Sequence, residues 1–256
     1  MGPVLYSVTA SDLESRTPGN EMRKFADDTY LIVPASNWDT CEKELGSIEA
    51  WSDANNLKLN RNKTLEIIFT KKRTPQLVLP PELPHIQRVD KIKILGVTIN
   101  NKLSVRDHIE SVVASCSQSM HALRILRSHG MHDSLIHKIF NSIILSKLSY
   151  ASPAWRGFML SCDITRIDSV INRAKKFGYC ASNVPNVTEI FDSADSKLFE
   201  AVSTNQFHVL FPLLPRKKTT FGHNLRRHTH DFILSAKRSK IATCNFLTRM
   251  LYHNIF

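Results

Sequence analysis

Two short apolar runs flank an acidic pair near the start of the chain. Residues 22–26 and 29–33 are rich in apolar and β-branched side chains, and each run has the length of a strand. Asp27 and Asp28 lie between them and are predicted to form a hairpin turn, because aspartate tolerates the backbone angles of tight turns. Two adjacent carboxylates repel each other unless a cation such as Mg²⁺ neutralises them. These residues alone fit a plain surface turn as well as a metal-binding pair.

Helical spacing follows this hairpin and also precedes it. A helix is predicted over residues 2–13, with a proline near its start. A second helix is predicted over residues 39–55, where Asp39 and Glu42 have the spacing of a capping box. The apolar positions of this second helix recur every three residues, which indicates one buried face.

Strand patterns end near residue 100, and helical patterns take over. Residues 65–69 and 91–99 are predicted to be strands, and Gly96 predicts a bulge or a close backbone approach in the latter. Residues 104–158 then follow a helical period that is broken at Gly130. The fold class predicted from this change is α+β.

Two more helices are predicted in the second half of the chain. The first covers residues 164–179, with its apolar residues on one face and its basic residues on the other. The second covers residues 195–206. The last fifty residues are weakly periodic and basic, so they give no clear structural prediction.

The charge of the chain indicates an anionic partner. Its 34 lysines and arginines outnumber 23 acidic residues, which gives a net charge of +11. This balance is typical of proteins that bind nucleic acid, and the alternative is a basic tail that only keeps the chain in solution. The residues predicted to bind phosphates are Lys71, Lys72, Arg73, Arg173, Lys175, Lys176, Arg216, Lys217, Lys218, Arg226 and Arg227.

The five cysteines form an odd set without C-x-x-C spacing. This pattern predicts a reducing compartment, nucleus or cytoplasm, and no disulfide-linked partner. No signal peptide or membrane-spanning run is recognised, so no membrane association is expected. His223, His228, His230 and Cys244 could be considered as zinc ligands, but their spacing fits no standard zinc finger.

Several segments, taken in order, resemble the C-terminal part of a reverse transcriptase (RNA-directed DNA polymerase) of a non-LTR, LINE-type retrotransposon. Phe25-Ala26-Asp27-Asp28 resembles the catalytic palm hairpin of that family, its motif C. The segments that resemble motifs B, D and E are residues 2–13, 57–64 and 95–97. Residues 148–155 and 172–174 resemble parts of the helical thumb and its extension, and residues 245–252 resemble the end of such reading frames.

This resemblance implies a fold in three parts. Residues 1–100 would form a partial palm, residues 101–180 a helical thumb, and residues 181–256 a basic C-terminal extension. The partners implied are an RNA template and a DNA primer, or an RNA–DNA duplex.

The resemblance also assigns roles to individual residues. Asp27 would be the principal Mg²⁺ ligand and Asp28 a supporting one. Lys63 would lie near the incoming triphosphate and help to protonate the leaving group; a merely phosphate-contacting or solvated lysine is the alternative. The segment Leu95-Gly96-Val97 would form the primer grip, although an ordinary strand bulge is an equally good interpretation.

The same comparison predicts that the chain is a truncated, inactive polymerase. Two metal ions need carboxylates from more than one strand. The only acids before Asp27 are Asp12, Glu14 and Glu21, and Asp12 falls at the end of the motif B helix and not on a palm strand. The alternatives are a non-catalytic RNA- or DNA-binding protein derived from a retrotransposon, and a product of a decayed element without a selected role.

Overall fold

The computed structural model of the chain describes residues 2–70, 79–217, 230–234 and 239–253, with side chains from residue 5 onward. Its contacts divide the chain into two compact units, one reaching Ile92 and the other beginning at Lys93. The first unit mixes helices with short strands, and the second is mainly helical. The predicted mixture of helix and sheet is therefore confirmed, whereas the division into palm, thumb and extension stays a prediction.

In the described residues of the first unit, two helices are combined with two strand pairs. Its elements are α1 (Gly2–Thr9), β1 (Glu21–Phe25), β2 (Asp28–Ile32), α2 (Cys41–Ala54), β3 (Leu65–Glu66) and β4 (Gln87–Arg88), with 3-10 turns at Ala10–Asp12, Ala35–Thr40 and Arg61–Lys63. Strands β1 and β2 form an antiparallel hairpin, and β3 pairs with β4 in parallel. The predicted helix over residues 2–13 is confirmed, because α1 runs on into the first 3-10 turn.

The hairpin turn lies one residue earlier than predicted. Phe25 pairs with Asp28, so Asp28 is the first residue of β2 and the two turn residues are Ala26 and Asp27. Ala26 has a φ of +50°, a left-handed conformation that is uncommon for a residue with a Cβ atom. The prediction of an Asp27–Asp28 turn was wrong because cross-strand pairing extends to Asp28.

Two other local predictions for the first unit were also wrong. Helix α2 has Thr40 as its N-cap, without a side-chain capping bond, and Asp39 belongs to the preceding 3-10 turn. The capping box of Asp39 and Glu42 therefore does not form, because the chain enters the helix through a continuous turn. The strand predicted over residues 65–69 is only two residues long, since its pairing with β4 covers only Leu65 and Glu66.

A buried carboxylate fixes the loop that leads into the hairpin. Glu44, on α2, is completely buried and accepts hydrogen bonds from the backbone N–H groups of Arg16 (3.0 Å) and Thr17 (2.7 Å). It also accepts one from Asn20 Nδ2 at 3.0 Å. Burial by itself would raise the pKa of Glu44, but these hydrogen bonds outweigh it and lower the pKa overall. The start of β1 is thus tied to α2 by polar contacts.

The second unit begins inside a hairpin and continues as helices. Its elements are β5 (Lys91–Ile94), which spans the boundary between the units, then β6 (Val97–Asn100), α3 (Arg106–Ser128), α4 (Asp133–Ile139), α5 (Ser146–Ser149), α6 (Ser152–Trp155), α7 (Ser161–Lys176), α8 (Val187–Thr204), α9 (Lys240–Cys244) and α10 (Phe246–Leu251). A π-helical segment, Phe140–Leu145, joins α4 to α5. The predicted break at Gly130 is confirmed, and its φ of +86° explains why glycine suits the end of α3.

Helix α7 confirms its predicted inward face. Ile167, Val170, Ile171 and Ala174 are all buried in one apolar core with residues of α3, α6 and α8. Helix α8, in contrast, begins eight residues before the predicted start at residue 195. Its start is a capping box of Asn186 and Glu189, a signal that was present in the sequence and was missed.

The end of the described chain docks onto the second unit. Arg249 of α10 donates hydrogen bonds to Asp195 (2.9 Å) on α8 and to the carbonyl oxygens of Cys244 and Pro153. Gly157 lies so close to this segment that a Cβ atom there would come within 2.0 Å of the Cys244 carbonyl oxygen. Residues 239–253, here called the C-terminal segment, are therefore part of the packed structure.

Replacing Glu44 with glutamine should destabilise the first unit by about 1–3 kcal/mol, because an amide nitrogen would face a buried N–H donor. In protein labelled with 5-fluorotryptophan, ¹⁹F NMR during urea unfolding separates Trp38 and Trp51 of the first unit from Trp155 of the second. In Glu44→Gln, only the Trp38 and Trp51 signals should report unfolding at a lower urea concentration than in the natural chain. Glu42→Gln, at an exposed position of the same helix, is the control and should change little.

The difference in the free energy of unfolding between Glu44→Gln and the natural chain should become smaller as the pH is lowered. The lowered pKa of Glu44 means that its carboxylate stabilises the fold above its ordinary pKa of 4.5, and that this contribution is lost as the pH falls below it. A difference in stability that stayed constant from pH 7 to pH 3 would show that Glu44 is not a buried carboxylate.

Candidate functional site

Hydrogen bonds from strand β1 hold the β1–β2 hairpin, which carries the two aspartates, in place. Lys24 of β1 donates hydrogen bonds from Nζ to the carbonyl oxygens of Ala10 and of Leu13 (2.7 Å), which begin and follow the 3-10 turn after α1. Asp27 and Asp28 are exposed at the tip, and the Tyr30 hydroxyl donates to Asp28 Oδ2 at 3.3 Å. The hairpin therefore presents two carboxylates to solvent from a base that is fixed to a helix end.

This tip satisfies part of what a magnesium site requires. Mg²⁺ commonly binds proteins through one or two carboxylates and fills its other positions with water or substrate phosphates. Asp27 and Asp28 fit that limited role. Among the described residues, no group of three or more His, Cys, Asp or Glu side chains converges as metal ligands, so a closed protein site for a pair of ions is not present there.

Lys63 ends the short 3-10 turn that follows α2 and is exposed. The Asn60 side chain accepts a hydrogen bond from the Lys63 backbone N–H and so caps this turn. In the described part of the chain, no ion pair joins Lys63 to Asp27 or Asp28. The predicted role of Lys63 near a triphosphate stays a prediction.

The predicted primer-grip segment forms a tight turn and not a bulged strand. Leu95 and Gly96 connect β5 to β6, with φ angles of +46° and +88°. Two consecutive positive φ values are typical of the type I′ turns that suit two-residue hairpins. The bulge predicted at Gly96 was therefore wrong, because the apolar run over residues 91–99 folds back on itself. Val97 is the first residue of β6.

Tyr150 holds this turn against the helical unit. Its hydroxyl donates a hydrogen bond to the Leu95 carbonyl oxygen at 3.0 Å, and its ring lies against Gly96. The Tyr150 carbonyl oxygen in turn accepts a hydrogen bond from Trp155 Nε1 at 2.9 Å. Ala151, with a φ of +51°, provides the bend that lets Tyr150 reach the turn. Tyr150 falls in the segment 148–155 that resembles part of the helical thumb, and this contact was not predicted from the sequence.

A buried histidine supports the same region from the other side. The His108 ring meets the Trp155 ring edge to face, with 5.1 Å between ring centroids. Burial, together with the nearby positive charge of Lys93, lowers the pKa of His108. The ring therefore favours its neutral form and packs as a core residue beneath β6.

Helices α3 and α7 run parallel and align basic side chains along their shared face. Glu110 on α3 pairs with Arg166 on α7 at 3.0 Å, and Arg173 donates to Ser117 Oγ at 3.3 Å. Farther along, Arg127 donates to the Phe177 and Gly178 carbonyl oxygens that follow α7. These three contacts advance in the same direction along both helices.

The residues on this face carry a strong positive charge. We call them the basic stripe: Arg106, Glu110, Ser117 and Arg124 of α3, with Arg166, Arg173 and Lys176 of α7. At about 100° per residue, the four α3 members lie within about 40° of one another around the helix. The stripe contains five positive charges and one carboxylate, and two of the positive charges, Arg106 and Arg166, pair with that carboxylate. Hydrogen bonds from Arg166 and Arg106 lower the pKa of Glu110.

The stripe contains only part of what the sequence predicted. Arg173 belongs to it, Lys176 lies at its solvent-facing edge about 80° around α7 from Arg166, and Lys175 lies about half a turn from Arg166 and is half-buried. Arg106, Arg124 and Arg166 were missed. Spacings of seven residues along each helix were visible in the sequence, but the pairing of α3 with α7 was not.

The C-terminal basic residues are only partly described. Arg216 and Lys217 are exposed, and Lys217 Nζ lies 5.6 Å from the centre of the Phe232 ring. Other predicted phosphate-binding residues lie outside the described residues: Lys71, Lys72, Arg73, Lys218, Arg226 and Arg227. His223 and His228 also lie outside them, while His230 Nε2 is 2.9 Å from the Leu251 carbonyl oxygen.

All five cysteines are free thiols, and burial raises the pKa of Cys116 to about 11. None of the described helices is long and apolar enough to cross a membrane.

Comparison with known proteins shows which proteins the chain is similar to. The chain is 26% identical to the "Probable RNA-directed DNA polymerase from transposon BS" of Drosophila melanogaster over 69% of its length. It is 27% identical to the "RNA-directed DNA polymerase from mobile element jockey" over 44%, and 25% identical to the "Probable RNA-directed DNA polymerase from transposon X-element" over 94%, both from the same fly. The resemblance to reverse transcriptases of non-LTR retrotransposons is therefore confirmed.

These relatives are much longer proteins. The chain spans 21%, 13% and 26% of their respective lengths. No family model matches the chain, and no solved structure matches it.

Replacing Tyr150 with phenylalanine should destabilise the second unit by about 0.5–1.5 kcal/mol, because the Leu95 carbonyl oxygen loses its hydrogen bond. The Trp155 signal in ¹⁹F NMR reports this during urea unfolding. Tyr179→Phe is the matched control, since it keeps the ring beneath Arg127. Equal stability of Tyr150→Phe and the natural chain would contradict the role given to this hydroxyl.

Proposed function

We propose that this chain is a nucleic-acid-holding part of a non-LTR retrotransposon reverse transcriptase, and that residues 1–256 do not extend a primer by themselves. The basic stripe of α3 and α7 is the observation that carries the proposal. It aligns five cations on a surface that is fixed by an apolar core. Its expected ligand is the phosphate backbone of an RNA template with a DNA primer, or of an RNA–DNA duplex.

The spacing of the stripe suits a polyanion. Arg166 and Arg173 are seven residues apart, which is about 10.5 Å along α7, and Lys176 follows about 4.5 Å farther on. Glu110 holds Arg106 and Arg166 side by side and neutralises only one of them. A row of partly neutralised cations binds phosphates without reading base sequence.

The proposed lack of catalysis rests on the hairpin. Phosphoryl transfer by two metal ions needs carboxylates that converge from more than one strand. Asp27 and Asp28 are neighbours in sequence at one exposed tip, and the residues around them supply no third carboxylate in the described structure. We therefore assign them a Mg²⁺-binding role only where further ligands come from elsewhere.

Purified protein of residues 1–256 should not incorporate nucleotides on an RNA template with a DNA primer in Mg²⁺ or Mn²⁺. Primer extension in a sequencing gel measures this. Incorporation that disappears in Asp27→Ala, but persists in the control Asp53→Ala on α2, would overturn the proposed inactivity. Incorporation that persists in both variants would also contradict it, because the activity would then arise without this hairpin.

Binding should depend on the stripe. Arg166→Ala, Arg173→Ala and Lys176→Ala together should weaken binding to an RNA–DNA duplex and lower the salt slope by about 0.9 for each phosphate that is no longer neutralised. Fluorescence anisotropy at several salt concentrations measures both quantities. Lys197→Ala, which replaces an exposed lysine of α8, is the control for removal of charge alone.

The binding and primer-extension experiments also distinguish the second candidate function from the first. A non-catalytic RNA- or DNA-binding protein derived from such an element would use the same stripe, and its binding would not require Mg²⁺. Duplex binding that survives EDTA and fades with added salt supports this second function when primer extension is absent. No duplex binding at low salt would overturn both functions.

A further inference from the structure

A short loop after α8 displays large apolar side chains to solvent. Phe207 is 85% exposed, Val209 is 84% exposed and Leu213 is 59% exposed. We call residues 205–214 the apolar loop. Single apolar residues on a surface are ordinary, but three within seven residues at this exposure form an unusual group.

The loop holds these side chains in a fixed arrangement. Asn205 Oδ1 accepts a hydrogen bond from the Phe207 N–H at 2.9 Å, and the His208 ring accepts one from the Leu210 N–H at 3.1 Å. Backbone hydrogen bonds also join successive turns, including Phe211 N–H to the His208 carbonyl oxygen at 2.8 Å. These hydrogen-bonded turns therefore fix the backbone that carries the exposed Phe207 side chain.

The surroundings of the loop favour a negatively charged partner. Arg216 and Lys217 follow the loop directly, and both are exposed. The sequence contains no acidic residue between Glu200 and Asp231. A neutral or cationic protein surface would gain nothing from these charges, whereas a polyanion with flat apolar groups would contact both the ring and the cations.

We propose that Phe207 is a stacking platform for a base of single-stranded RNA or DNA, with Arg216 and Lys217 contacting the adjoining phosphates. This inference rests on the proposed function, in which the chain holds nucleic acid. It adds a second contact that is distinct in kind from the basic stripe. The stripe would bind backbone charge, while Phe207 would bind the face of an unpaired base.

The two contacts differ in which nucleic acid they can use. Aromatic stacking requires a base whose face is free, so it is open to single strands and closed to the paired interior of a duplex. Every base has such a face, so the contact is tolerant of sequence. The loop would therefore hold an unpaired stretch of template or of displaced strand.

Binding of the whole chain to a 12-nucleotide single strand and to a 12-base-pair RNA–DNA duplex with blunt ends tests the proposal. Phe207→Ala should weaken single-strand binding about tenfold and change duplex binding less than twofold. Leu213→Ala, in the same loop, is the matched control and should leave both unchanged. Phe207→Trp should restore single-strand binding, and its added fluorescence should be quenched on binding.

Other outcomes overturn the proposal in distinguishable ways. If Phe207→Ala binds single strands as tightly as the natural chain does, the stacking contact is excluded. The proposed function still holds in that case, provided that the variants of the basic stripe bind the duplex more weakly. If Phe207→Ala only loses binding to anionic phospholipid vesicles, the loop contacts a membrane surface instead. If it only loses self-association in sedimentation, the loop contacts a second copy of the chain. No binding of the natural chain to either nucleic acid would overturn the proposed function as well.

Discussion

Apolar burial between α3 and α7 is the constraint on which the most informative surface of this protein depends. Ile109, Cys116 and Leu123 of α3 and Ile167 and Val170 of α7 are completely or almost completely buried, so the two helices are fixed in register. Only because of that register does Arg166 meet Glu110 and Arg173 meet Ser117. A surface charge pattern of this kind is a product of the core beneath it. Close packing also makes its geometry stiff.

The first unit is stabilised in a different way. Its buried apolar residues are few, and large side chains such as Leu5, Val8, Phe25 and Ile32 are more than half exposed. The Glu44 contacts and the Lys24 hydrogen bonds are therefore a larger share of what holds the hairpin. Buried polar networks depend strongly on complete pairing, since each group left unpaired is costly. The tip with Asp27 and Asp28 thus rests on a few specific contacts.

Sequence patterns predicted the elements better than their junctions. The 3.6-residue period identified α3 and the buried face of α7, because both helices face one core. It could not place the turn at Ala26–Asp27 or at Leu95–Gly96, since cross-strand pairing decides those turns. The capping box of Asn186 and Glu189 was visible in the sequence, but it was not used to place the start of α8.

Prediction of the site had a similar limit. Asp27, Asp28 and Gly96 were singled out by motif, whereas Arg106, Arg124 and Arg166 acquire meaning only when α3 lies beside α7. The contact of Tyr150 was not predicted, since its partner, the Leu95 carbonyl oxygen, lies 55 residues away. Long-range contacts between a side chain and the backbone leave no periodic signal in the sequence.

The docking of Arg249 into α8 has a consequence for shortened forms of the chain. Asp195 is 3% exposed, and Arg249 is its shorter ion-pair partner, at 2.9 Å against 3.5 Å for Arg156. A protease cut or an early stop codon before Ser239 would remove that guanidinium and leave the buried Asp195 carboxylate with Arg156 as its remaining ion-pair partner. Removal of one partner destabilises a buried ion pair, because the remaining charges are compensated less completely. The contact of Arg249 with Asp195 therefore makes the stability of the helical unit depend on residues 239–253.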